Sequence, residues 1–197
     1  MKIETLLSKF DIKGINYGPS TGGGNPLLSA EEQLAVVGLC WHESPVGWLL
    51  LFVEGLRDVN ALKQLQIATM GEALRLMEDW RGVYPEKAIK ALCATAIAEA
   101  TQQRGQICPE CNGSAVVLSK CNHKRKCQCC KDGRIEWTQE TRFAYFAQFL
   151  PVTYSRFKRY SMVLNILVGW LIDNRIVAVS AMEEQVKREK RKEFICH

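Results

Sequence analysis

Apolar positions recur every three or four residues along most of this chain and alternate every second residue almost nowhere. That spacing places apolar side chains on one face of a helix, so the chain is read as mainly α-helical. Ser29, with Glu32 three residues later, forms a capping-box pattern ahead of Leu34, Val37 and Leu39. Pro45 suits the first turn of a second helix bearing Trp48, Leu49, Phe52 and Leu56. Over residues 59–80, Leu62, Leu65, Ile67, Ala68, Ala73, Leu74 and Met77 make a broad apolar face. Pro85 opens a further helix in which Ile89, Leu92, Ala96 and Ile97 repeat at the same spacing. Cys40 ends one of these segments and Cys93 borders the face of another, and both are expected to be buried as small hydrophobes.

Two helices separated by a proline follow towards the carboxyl end. The first carries Phe143, Phe146, Ala147 and Leu150 and stops at Pro151; Thr153 can cap the second. In the second, Phe157, Tyr160, Leu164, Leu167 and Leu171 share an inward side, which leaves Ser155, Arg156, Lys158, Arg159 and Met162 outward. Helix, short turn, helix is the outline of a helix-turn-helix. Short polar and basic residues at the start of its second helix can reach phosphates and base edges in a major groove. An ordinary helical hairpin with a solvated basic face has the same pattern. Thr153, Ser155, Arg156, Lys158 and Arg159 are the candidate DNA contacts. Two apolar runs, residues 46–53 and 162–179, read as core helices: the first is far shorter than the roughly 20 residues that span a bilayer, and Asn165, Asp173, Asn174 and Arg175 interrupt the second.

The helical rhythm breaks twice. GPSTGGGNP, residues 18–26, is a Gly, Ser and Pro linker, without the Gly-Lys-Ser/Thr and preceding strand of a phosphate-binding loop. The second break, ICPECNGSAVVLSKCNHKRKCQCCKDGRIEW over residues 107–137, holds six of the nine cysteines. Residues 115–118 and 135–138 there could pair as a short ribbon. Cys108 and Cys111 form one C-x-x-C, Cys127 and Cys130 another, with 15 residues between them, the spacing of a structural zinc site. Each pair is followed by a turn containing glycine, Asn112-Gly113 and Asp132-Gly133, suited to left-handed backbone. Four thiolates would close the shell of one structural zinc ion. Cys121, His123 and Cys129 lie in the same stretch, and any of them could replace one of the four. The amino terminus lacks the features of a secretory signal, so structural disulfides are not expected. No βαβ pattern accompanies either C-x-x-C, which argues against a redox dithiol.

Charge changes the picture further. The net charge of +5 is uneven: up to residue 119 there are 10 Lys and Arg against 13 Asp and Glu, and from residue 120 onward 16 against 8. Lys124, Arg125 and Lys126, between the two knuckles, join the candidate nucleic-acid contacts, although such runs often only solvate a loop tip. The expected organisation is a leader and Gly-rich linker over 1–27, a helical body over 28–104, a zinc-binding knuckle or ribbon insert over 105–137, and a basic helix-turn-helix-like pair with a carboxyl-terminal helix over 138–197. No H-x-E precedes the C-P-E-C, as a zinc deaminase would need, and the histidines His42, His123 and His197 are scattered, so catalysis is not expected.

The order of parts, an alanine-rich helix ALCATAIAEATQQRG, a CPECNG knuckle, a basic loop, a CQCCKDG knuckle, and then LPVTYSRFKRY with a long helix, resembles the lambda-type Q antitermination proteins of lambdoid phages. The resemblance covers roughly residues 28–186. It implies a cytoplasmic factor, acting in the bacterial host, that binds double-stranded DNA overlapping a late promoter. Such a factor engages paused host RNA polymerase through its sigma factor and beta flap and carries it through terminators, with no membrane involved. By position, Cys108, Cys111, Cys127 and Cys130 match the family's zinc knuckles, and Ser155, Arg156 and Lys158 its basic helix. The second knuckle departs from the family, with Asp132-Gly133 where glycine-x-glycine is usual. A rival reading is a zinc-ribbon module that binds DNA or protein as a regulator or chaperone-like adaptor, akin to the cysteine-rich domain of J-domain chaperones. That domain carries four Cys-x-x-Cys motifs, against two here.

Overall fold

The structure, a computed structural model, describes residues 38, 40–80, 85–118 and 122–195 of the 197. The Ser29–Glu32 capping box, the Gly-rich linker, Leu34, Val37, Leu39, Cys121 and His197 lie outside the described residues. The fold is mainly helical with a small β region: helices α1 (Pro45–Leu56), α2 (Val59–Leu76) and α3 (Pro85–Thr101) precede four short strands. These are β1 (Gln106–Ile107), β2 (Val116–Leu118), β3 (Lys124–Lys126) and β4 (Arg134–Ile135), followed by α4 (Gln139–Phe149) and α5 (Tyr154–Ile195). By contact the chain groups into two units, Met1–Leu65 with Trp170–His197, and Gln66–Gly169. Helices α2 and α5 contribute to both.

In the first unit, Cys40, Trp48 and Leu51 pack with Ala178 and Met182, flanked by Trp41, Phe52 and Leu56. Ser44 caps α1: its Oγ accepts from the Gly47 N–H at 3.2 Å and lies 2.9 Å from both the carbonyl and the side-chain oxygen of Asn174. Gly47 sits where α1 and α5 approach so closely that a Cβ would overlap the Asn174 carbonyl. Trp48 donates from Nε1 to the Cys40 carbonyl at 3.0 Å, which satisfies the one polar atom of a fully buried indole. Arg175 pairs with Glu54 at 2.9 Å.

In the second unit, α3 is buried nearly all round, and its small side chains let α4 pack against it. An aromatic cluster of Phe143, Phe146, Tyr154, Phe157 and Tyr160 fills the corner between α4 and α5, and Trp80 stacks on Tyr160 with ring centres 4.9 Å apart. Glu99 of α3, buried, accepts two hydrogen bonds from the Arg142 guanidinium of α4, and Arg142 also reaches Asn165 of α5 at 3.0 Å. One bidentate pair thus ties three helices together.

Most expected helices match. Phe157, Tyr160, Leu164, Leu167 and Leu171 are buried as their spacing required, and Ile89, Leu92, Ala96 and Ile97 likewise. The face of α2 is narrower than expected: Ile67 and Leu74 are exposed, and the buried stripe is Ala61, Leu65, Thr69, Ala73 and Met77 at strict four-residue steps. The expected ribbon between residues 115–118 and 135–138 is replaced by two antiparallel ribbons, β1 with β4 and β2 with β3. The second helix of the expected pair and the expected carboxyl-terminal helix are one element: α5 runs unbroken over 42 residues, Tyr154–Ile195. By length and composition alone its Tyr154–Gln185 stretch would suffice to cross a membrane. Its buried side chains instead occupy one stripe, and Asn174 and Arg175 are engaged by Ser44 and Glu54, which is the pattern of an amphipathic core helix.

Replacing Glu99 by Ala leaves the half-buried Arg142 guanidinium without its carboxylate. Stability should fall by about 3 kcal/mol, measured as a lower urea midpoint for Glu99→Ala than for the wild type, with Arg142→Ala shifted in the same direction.

Candidate metal centre and basic surface

Cys108, Cys111, Cys127 and Cys130 converge, as their spacing predicted, with all four sulfurs within 4.8 Å of one another. The Cys108–Cys127 and Cys111–Cys130 sulfurs are 3.9 and 3.5 Å apart. A tetrahedral shell with Zn–S distances of about 2.3 Å would separate its sulfurs by about 3.8 Å. The donor set and its spacing therefore fit one metal ion held jointly by four cysteines. Among the described residues this is the one cluster of three or more potential metal ligands. His123 and Cys129 are exposed and stand outside it, and Cys121 is not among the described residues.

The two knuckles are built alike. Asn112 and Gly113 in one, Asp132 and Gly133 in the other, all have positive φ, 49° and 85° against 52° and 82°. Asn and Asp tolerate that region better than other residues that carry a Cβ, and glycine adopts it freely. Gly133 is required twice over, because a Cβ there would also overlap the backbone carbonyl of Gly113. The knuckles thus meet backbone to backbone. The Cys108 N–H donates to the Gly133 carbonyl at 2.9 Å, and the Cys127 N–H to the Ala115 carbonyl at 2.8 Å. Val117 and Ile135 cover the sulfurs, in place of a larger apolar core.

Cys111, Cys127 and Cys130 are electrostatically unequal. Burial acts to raise Cys111, but hydrogen bonds from the Cys130 thiol and from the Gly113 and Ala115 N–H groups outweigh it and bring the group down to about 7. Burial and the neighbouring thiols push Cys130 up to about 12. At Cys127 the Cys129 N–H lowers the pKa, yet burial and the Cys108 and Cys111 thiols leave it raised. A thiolate is thus favoured at Cys111 and resisted at Cys127 and Cys130. Burial raises Cys40 and pushes Cys93 to about 11, which suits unreactive core thiols.

The insert is fastened at its neck. Strand β1 leaves α3 and pairs with β4, which leads into α4, and Arg134 Nη1 donates to the Gly105 carbonyl at 3.0 Å. Trp137 donates to the Gln102 carbonyl at 2.9 Å and meets Tyr145 edge-on. Thr138 and Thr141 then cap α4 reciprocally. None of these fastenings has a spacing that sequence reading would single out, although Trp137 just before a helix cap was a visible signal.

Of the candidate nucleic-acid contacts, Lys124, Arg125 and Lys126 make up β3 and are all exposed. Thr153, Ser155, Arg156, Lys158 and Arg159 are exposed at the start of α5. The Thr153 carbonyl accepts from the Arg156 and Phe157 N–H groups, which starts the helix. Lys158 lies over the Tyr154 ring, 5.2 Å from its centre, so part of its freedom is already restricted. Both basic sets belong to the unit that holds the four converging cysteines.

No model of a known protein family matches the chain, and no curated protein matches it either.

The chain should bind one zinc ion, counted by native mass spectrometry; Cys108→Ser and Cys127→Ser should lose it, and Cys129→Ser should retain it. Zinc binding must expel the protons that Cys127 and Cys130 hold at neutral pH. Apparent affinity should therefore rise about a hundredfold or more per pH unit between pH 6 and 8 and fall on acidification, in a competition titration with a chromogenic chelator.

Proposed function

We propose that this chain is a DNA-binding regulator of transcription whose binding unit is held in shape by one structural zinc ion. The observation that carries this reading is the start of α5. Ser155, Arg156, Lys158 and Arg159 are exposed, while Phe157 among them and Tyr160 just after them are buried in an aromatic core. Such a helix presents several cations and a hydroxyl in a fixed arrangement at its amino end, where the helix dipole also favours phosphate. Helices α4 and α5, joined by residues 150–153, supply a helix-turn-helix-like pair. Four thiolates around zinc leave no position for catalytic water, so the metal's part is structural.

Within that class, the order of parts, from alanine-rich helix through paired knuckles to a basic helix, supports the lambda-type Q reading. The factor then acts in the bacterial cytoplasm, binds a late promoter, engages host RNA polymerase through its sigma factor and beta flap, and lets it pass terminators. The zinc-ribbon adaptor reading is favoured by a separate observation, the exposure of Ile107, Val116 and Leu118 on the insert.

Single-round transcription with bacterial RNA polymerase, on a template carrying a phage late promoter, its pause site and a terminator, separates these readings. Read-through should appear with the wild type and be lost in Cys108→Ser and in Arg156→Ala with Arg159→Ala. Unchanged termination by a protein that binds the promoter DNA would leave a DNA-binding regulator of another kind. On DNA, Lys158→Ala should reduce the slope of log affinity against log salt by about 1.

A further inference from the structure

The register of the β2–β3 ribbon sorts its six side chains in a way that solvation of a loop tip does not require. Val116 pairs with Lys126, Val117 with Arg125, and Leu118 with Lys124. Paired residues share a face and successive residues alternate, so Val117 and Arg125 share one face while Val116, Leu118, Lys124 and Lys126 share the other. Val117 packs on the cysteine cluster, which turns the second face outward. On that face Leu118 is 67% exposed and Val116 40%, and both lysines are exposed. An apolar row and a cationic row therefore run side by side, about 5 Å apart.

We propose that this outward face enters the major groove of duplex DNA as a second contact element, distinct from the start of α5. Lys124 and Lys126 lie along one phosphate strand, and Val116 and Leu118 face the base edges against thymine methyl groups. The inference rests on the DNA-binding reading and specifies how the insert takes part in it. Charge selects this occupant: the ribbon carries three cations and no carboxylate, and the acidic residues between the neck strands, Glu110 and Asp132, belong to the knuckles. A two-stranded ribbon fits the width of a major groove. Apolar side chains standing beside lysines suit a groove with methyl groups on its floor and phosphates along its edge. The zinc centre then has a further role: with Val117 seated on the sulfurs, the cluster fixes the ribbon's rotation and so decides which row meets the bases.

The test uses the full-length zinc-bound protein and a 24-base-pair duplex that the wild type selects from a random-sequence library. Affinity is measured across salt concentrations for the wild type, Leu118→Ser, and Lys124→Ala with Lys126→Ala, after each variant is shown to carry one zinc. Thymines in the duplex are then replaced one at a time by uracil, which removes only the methyl group. The double lysine variant should flatten the salt slope by about 1.8, while Leu118→Ser leaves the slope unchanged. At one or more positions uracil should weaken wild-type binding about fourfold, and Leu118→Ser should abolish that sensitivity. Wild-type binding with both ribbon variants unaffected, or with no uracil-sensitive position, overturns the ribbon contact and leaves the DNA-binding reading standing. Absence of any duplex binding by the wild type at low salt overturns both. Ribbon variants that bind DNA normally but no longer bind purified RNA polymerase would assign the face to protein docking, and that also overturns the proposal.

Discussion

Between α3 and α4 the chain has to hold residues 102–138 in place with few apolar side chains to bury, and the convergence of four cysteine sulfurs is what replaces a core there. The local structure of the insert serves that convergence. Two turns with paired positive-φ residues aim the thiols inward, Gly133 lets the second turn touch the backbone of the first, and Val117 and Ile135 close over the sulfurs. The insert is consequently most sensitive to changes at a few small positions, where no substitute side chain fits.

Its rigidity reaches the helices through the neck. The β1–β4 pair, the Arg134 and Trp137 hydrogen bonds, and the reciprocal threonine cap join the insert to the end of α3 and the start of α4. The Glu99–Arg142–Asn165 network and the aromatic cluster then connect α4 to α5. Cations at the start of α5 and on β3 are thereby displayed from one packed unit. Freely solvated lysines lose side-chain and loop entropy on binding, whereas cations on ordered elements lose less.

How legible this was depended on the range of the interaction. The cysteine quartet was legible because metal ligation imposes a local spacing, C-x-x-C with a glycine turn, which is visible without a fold. The inward stripe of α5 was legible because helical periodicity is local too. The strand pairing was not. Residues 115–118 satisfied the strand pattern, but their partner is set by how the cysteine cluster folds the loop, which placed β3 beside β2 and gave β4 to β1. Ile67 and Leu74 look like core by type, yet both are exposed, and the buried stripe of α2 follows four-residue steps through Ala61, Thr69 and Ala73.

By itself, then, the sequence determined the helical class, the identity of the four converging thiols, the left-handed glycine turns and the outward basic side of α5. All of these arise from interactions among residues close in the chain or from the fixed stereochemistry of a metal shell. Only the tertiary structure decided that Ala178 and Met182 return to cover Trp48 and Leu51, that Glu99 meets Arg142, and which face of the β2–β3 ribbon looks outward. Those depend on packing between residues far apart in the chain, where shape and burial select one arrangement among many that the local pattern would accept.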